Sequence, residues 1–124
     1  CWGTGNPLRE FMHVDDLANA VLFCLENWDP DKDNSPKFDS GENLNYLNVG
    51  TGKDISIKEL ANKIAKKTKF KGAIIWDKEK PDGTPRKTLD ISRIKSLGWK
   101  PIIDLDLGIS RAIDSYCKET NNEF

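Results

Sequence analysis

The chain has one histidine, His13, three cysteines far apart at Cys1, Cys24 and Cys117, and no apolar run long enough to cross a bilayer. An odd number of widely spaced thiols excludes a disulfide framework. With a single imidazole it also excludes a zinc ligand set, and it fits a reducing cytoplasm. No charged opening followed by an apolar stretch marks a signal peptide. Nor is there an excess of charge: 19 basic and 20 acidic side chains leave a net charge of -1, so any anion site must be local and nucleic acid is not an expected partner. The only methionine is Met12, and the chain reads as a segment with other sequence before Cys1. Its 124 residues, 37% hydrophobic and 31% charged, suit a polar globular piece of one-domain size.

What is present is a dense cationic loop. Residues 80–87, KPDGTPRK, set Lys80, Arg86 and Lys87 around two prolines and a glycine. Proline fixes φ and glycine opens conformations closed to other residues, so this backbone is a shaped loop able to aim its charges. Arg86 offers a planar fork for phosphate oxygens, and the two lysines offer point charges. The bland reading is a solvated turn.

Around that loop, helices and short strands alternate. Residues 1–10 carry loop chemistry, with two glycines, a proline and an asparagine beside Trp2. Asp15 or Asp16 caps or favours the N-terminus of a first helix whose Leu17, Ala20, Val21, Cys24, Leu25 and Trp28 predict one buried face, closed at Pro30. Residues 29–43 predict an exposed loop. Leu44 to Val49 predicts a buried strand running into the Gly50-Thr51-Gly52 turn. Ser56 and Glu59 form a capping box for a helix with Ile57, Leu60, Ala61, Ile64 and Ala65 on one stripe. Ala73 to Trp76 predicts a second strand, residues 91–97 a short helix stopped by Gly98, and 105–118 a last helix. The expected architecture is α/β, with short strands, about three main helices and too few strands for a doubly wound domain.

Resident catalytic chemistry is not evident. No GxGxxG turn opens a helix after a strand, and Tyr46 and Tyr116 are followed four places on by Gly50 and Thr120, so no Tyr-x-x-x-Lys pair exists. His13 reads as a structural, hydrogen-bonded histidine, and Cys24 and Cys117 as core packing. Trp28, Trp76 and Trp99 read as apolar anchors at element ends. Trp2 and Arg9 are harder to dismiss, because an aromatic ring and a guanidinium in one loop can stack a base or sugar and hold a phosphate together.

The runs WGTGNPLREFMHVDDLANA, LNVGTGKDISIKELA and KPDGTPRKTLDISRIKSLGW resemble the C-terminal portion of the GDP-L-fucose synthase family, within the extended short-chain dehydrogenases. REFMHVDDLA and LNVGTG mark only the superfamily, whereas KPDGTPRK beside WGTGNPLREF is the discriminating part. The resemblance implies that residues 1–124 form a C-terminal substrate-binding lobe, the Rossmann lobe being absent, from an NADP-dependent enzyme that epimerises and reduces a GDP-bound 4-keto-6-deoxymannose. It implies a GDP-sugar site lined by Trp2, Arg9, Asp82 and Lys87, with no catalytic, cofactor or metal residue in this segment. It further implies a cytoplasmic homodimer for the whole enzyme, and for the segment an inactive monomer without bound NADP. Asp82 can accept from sugar or ribose hydroxyls or form the turn before Gly83, and Arg86 can be a third phosphate partner or a brace. The alternatives are a free-standing nucleotide-sugar-binding or protein-interaction module, or a lobe of another nucleotide-sugar epimerase or dehydratase.

Overall fold

The sheet is built from segments whose composition reads as loop. In the computed structural model, which describes residues 1–121, the elements are β1 (Leu8–Glu10), α1 (Val14–Asn27), β2 (Asp54–Ser56), α2 (Ile57–Lys67), β3 (Arg86–Lys87), α3 (Ser92–Ser96) and α4 (Leu105–Thr120). The strand order is β2-β1-β3. β1 runs antiparallel to β2, with Arg9 opposite Ile55, and parallel to β3, with Leu8 opposite Arg86 and Arg9 opposite Lys87. Together these make a small α/β unit of four helices and a three-stranded sheet. Among the described residues, no helix is long and apolar enough to cross a membrane.

The two predicted strands are corrected. Residues 44–49 and 73–76 carry no strand, while β1 and β3 form inside the stretches read as loops. A strand exists only against a ladder partner, and no described segment offers one to 44–49. Their apolar side chains are used all the same: Leu44 is fully buried, and Leu47 and Val49 pack on the core cluster of Ala20, Ile91, Ile94 and Trp99. Residues 73–76 end in a single bridge, Asp77 to Trp2.

The first helix is corrected twice. Its N-cap is His13, whose Nδ1 accepts from the Asp15 N–H at 3.2 Å, so the histidine is structural and the two aspartates lie in the first turn. Asp16 is buried at 1% exposure, and its carboxylate accepts from the N–H groups of Ile102 at 3.1 Å and Ile103 at 2.9 Å. The packed face is accordingly Asp16, Ala20, Phe23 and Cys24, while the exposed Asn19 accepts from the Trp99 indole at 2.9 Å beside it. Leu17, Val21 and Leu25, placed inside by the periodicity, are 45%, 51% and 78% exposed, and Val14 and Leu22 join them. Sorting by polarity misorients this helix because the buried Asp16 carboxylate is satisfied internally by backbone N–H groups.

α2 follows its local signals. The Ser56 hydroxyl accepts from the Glu59 N–H at 3.1 Å, and the Glu59 carboxylate accepts from the Ser56 N–H at 3.1 Å. The helix lies along α4, where Lys63 meets Asp106 at 2.8 Å and Lys67 donates to the Ser110 hydroxyl at 2.8 Å. α4 is capped by Asp104, which accepts from the Leu107 N–H at 2.8 Å. α3 gives way at Gly98, whose φ of +108° disfavours other residues. Residues 29–43 form a mostly exposed loop, closed by a bridge between Lys37 and Asn43.

Candidate functional site

The parallel pairing of β1 and β3 decides where the cations go. Residues in register on neighbouring strands project to one face of a sheet, and successive residues project to opposite faces. Arg9 and Lys87 therefore share a face, although 78 positions separate them in the chain. Arg86 is sent to the other face, where its Nε donates to the Asp54 carboxylate alongside the Thr88 hydroxyl. The hydroxyl and the guanidinium together hold Asp54 below the ordinary aspartate value. Arg86 is thus a brace between β3 and β2. Arg9 donates from Nη1 to the Leu8 carbonyl at 2.7 Å, and its Nη2 lies against Gly83, where a Cβ would come to 3.1 Å. Among the described residues, neither Arg9 nor Lys87 is ion-paired.

Trp2 and Asp82 extend the same region. The Asp82 carboxylate accepts from the Thr4 N–H at 2.8 Å and the Thr4 hydroxyl at 2.6 Å, and those bonds hold it below the ordinary aspartate value. It fastens the cationic loop to the Gly3–Gly5 turn. A carboxylate has about four acceptor positions, so Asp82 keeps capacity for an incoming hydroxyl. Gly3 sits beside it with φ +76°, and Trp2 just before is 76% exposed, with the Lys80 ammonium 5.8 Å from its ring centroid. The four candidate residues are thereby linked: Trp2 through Gly3 to Asp82, Asp82 through Gly83 to Arg9, and Arg9 by register to Lys87.

Glu10 is the residue that sequence reasoning missed. Its carboxylate accepts from the N–H groups of Thr51, of Gly52 at 2.6 Å and of Leu89 at 2.9 Å, and from the Thr51 hydroxyl at 3.1 Å. Burial pushes this carboxyl up. The bonds from Leu89, Gly52 and Thr51 outweigh that and hold it below the ordinary glutamate value of 4.5. The available signal was a carboxylate directly after Arg9, together with a glycine turn whose amides need an acceptor.

The same bond bears on a dinucleotide. A glycine turn binds a cofactor phosphate through free N–H groups, but at Gly50–Gly52 the amides already cradle Glu10, and at Gly3–Gly5 the amide of Thr4 is given to Asp82. The amides of Thr51, Gly52 and Thr4 are therefore committed to internal carboxylates. No described group of three or more His, Cys, Asp or Glu residues could hold a metal ion. Concave surfaces among the described residues include a pocket of about 400 Å³ beside β2 and Asp104, a groove of about 910 Å³ bordered by α2, α4 and the start of α1, and a hollow of about 430 Å³ between Lys63, Lys67 and Asp106, and neither Arg9 nor Lys87 lines any of the three. The Arg9–Lys87 face is an open edge.

The profile of the NAD dependent epimerase/dehydratase family matches residues 1–38. Probable GDP-L-fucose synthase 1 of Oryza sativa subsp. japonica is 47% identical over 108 residues, covering 87% of this chain and 29% of that protein. The chain is a homologue of the GDP-L-fucose synthases. The GDP-L-fucose synthase of Escherichia coli is 44% identical over 117 residues, 88% of this chain and 33% of that protein. The chain thus spans about a third of the length of the curated GDP-L-fucose synthases it matches. Among solved structures, a GDP-6-OMe-4-keto-L-xylo-heptose reductase from C. jejuni superposes with a TM-score of 0.81 at 36% identity, over 97% of this chain and 34% of that one. The fold seen here is the one that extended short-chain dehydrogenases use over this stretch.

Proposed function

We propose that this chain is the C-terminal, GDP-sugar-binding lobe of an NADP-dependent enzyme that epimerises and reduces GDP-4-keto-6-deoxymannose to GDP-L-fucose. The observation that carries the reading is the in-register placement of Arg9 and Lys87, two unpaired cations on one sheet face, in a homologue of GDP-L-fucose synthases. A diphosphate concentrates negative charge that such a pair neutralises from two segments, and Trp2 offers an exposed apolar face to the nucleoside or sugar. Asp82 accepts from a hydroxyl of the ligand while still holding Thr4. No chemical step is assigned to this chain: hydride, cofactor binding and proton transfer belong to the rest of the enzyme, because the glycine turns here are filled by internal carboxylates.

The open edge and the uncovered apolar stripe of α1 support a lobe that needs a partner lobe to complete its cleft. The whole enzyme is a cytoplasmic homodimer in this reading. The isolated chain is a monomer, turns over no substrate and binds neither NADP nor GDP-sugar tightly. In the full-length enzyme, Arg9→Ala and Lys87→Ala each raise KM for the GDP-sugar about tenfold, the worth of one charged hydrogen bond. Steady-state kinetics check this, and unchanged KM in both variants rejects the phosphate role. Titration calorimetry of GDP into the isolated chain checks the division of labour, since tight binding there favours a free-standing module. Preference for UDP over GDP in the full-length protein favours another nucleotide-sugar epimerase.

A further inference from the structure

β3 is two residues long, and a strand that short does not fix its own register. What holds Lys87 opposite Arg9 lies on the reverse face of the sheet. There the Glu10 carboxylate reaches in two directions: one oxygen takes the Thr51 and Gly52 amides, which lead into β2, and the other takes the Leu89 amide, just past β3. One side chain on the central strand therefore ties both outer strands at the same end. Because Glu10 adjoins Arg9 and Leu89 lies two residues past Lys87, any slip of β3 against β1 breaks the Leu89 bond and moves the Lys87 ammonium relative to the guanidinium.

We propose that Glu10 is a positioning residue that sets the spacing of Arg9 and Lys87 for a diphosphate, an inference that rests on the GDP-sugar role proposed above. It touches no ligand, being on the face away from both cations. Its ionised form is required: both oxygens face N–H donors, and a glutamine can present an acceptor to one side only, turning its own NH2 toward the other.

The test measures Kd for GDP in the full-length protein by calorimetry, in Glu10→Gln, Glu10→Asp, Lys87→Ala and the double variant Glu10→Gln/Lys87→Ala, with Tm recorded for each. Glu10→Gln is expected to raise Kd about fivefold, Glu10→Asp to fall between it and the parent, and Glu10→Gln to add less than about twofold once Lys87 is gone. Amide exchange at Leu89 should quicken in Glu10→Gln without any ligand. Additive effects in the double variant, or a lowered Tm with unchanged Kd, overturn the positioning role. If Arg9→Ala and Lys87→Ala leave Kd unchanged, the GDP-sugar reading fails and takes this inference with it. Raised Kd in those two beside a normal Glu10→Gln rejects the positioning role alone. Should Glu10→Gln fail to fold, Thr51→Val removes one of the four bonds, and its Kd is expected to rise about twofold, an unchanged value counting against the proposal.

Discussion

α2 and β3 are held in place by opposite means. α2 carries its own instructions: a capping box at Ser56 and Glu59, an apolar stripe at helical spacing and lysines in the last turn. β3 carries almost none. It is ordered by contacts 32 to 79 positions away, Asp54 on Arg86 within it and Glu10 on Leu89 just past it, and by the pairing with β1. The signals for the helix lie within residues 56–67, whereas the strand is held by carboxylates from distant segments. The proposed ligand-binding face rests on the second kind of order, so small changes there should disturb function more than stability elsewhere does.

That contrast can be broken by substitution. The largest effect is expected for Gly3→Ala, where a Cβ would run into the Asp82 carboxylate at a backbone φ of +76°. The loss is about 2 kcal/mol by urea denaturation, and the displaced loop should also raise KM for the GDP-sugar. A variant with parent stability and parent KM would show that the Thr4–Asp82 contact is dispensable. Next comes Ser56→Ala, which removes the cap of α2 and costs about 1 kcal/mol. Here KM should stay at the parent value, because α2 contributes nothing to the Arg9–Lys87 face, and a shifted KM would erase the distinction between the two regions.

Acid sharpens the comparison with a smaller effect. Glu10, Asp54 and Asp82 in the sheet corner and Glu59 in the capping box all titrate below their ordinary values. A carboxyl depressed in the folded state contributes stability that is complete above the unfolded value, 4.5 for Glu10 and 3.8 for Asp54, and is lost as pH falls through the folded value. Between pH 5 and pH 3, amide protection at Thr4, Gly52 and Leu89 should fall before that in the middle of α2, after correction for intrinsic exchange rates. Uniform loss across both regions would argue against a corner held by carboxylates. The smallest effect is expected for Lys63→Ala. Its bridge to Asp106 is half-exposed and screened, and a chemical-denaturation midpoint within error of the parent is the expected result.

Where the sequence read well, the deciding interactions lay within four residues. α2, α4 and the stop at Gly98 follow from caps, periodicity and a glycine. It read poorly where side chains served distant backbone. Asp16 read as a cap candidate and is buried in the packed face of α1, because the amides of Ile102 and Ile103 satisfy its carboxylate. Leu44 to Val49 looked like a strand, and its side chains do enter the core, but strand formation needs an edge that no described segment provides.

By itself, the amino-acid order determined the helices, the shaped cationic loop, the likeness to GDP-L-fucose synthases and the candidates Trp2, Arg9, Asp82 and Lys87. Only the tertiary structure decided that Lys87 stands in register with Arg9 while Arg86 turns away to Asp54, and that the Glu10 carboxylate takes amides from segments flanking both outer strands. The reason is geometric: a helix repeats contacts between near neighbours, whereas the facing of a side chain on a two-residue strand is set by its register against a partner that local sequence does not name.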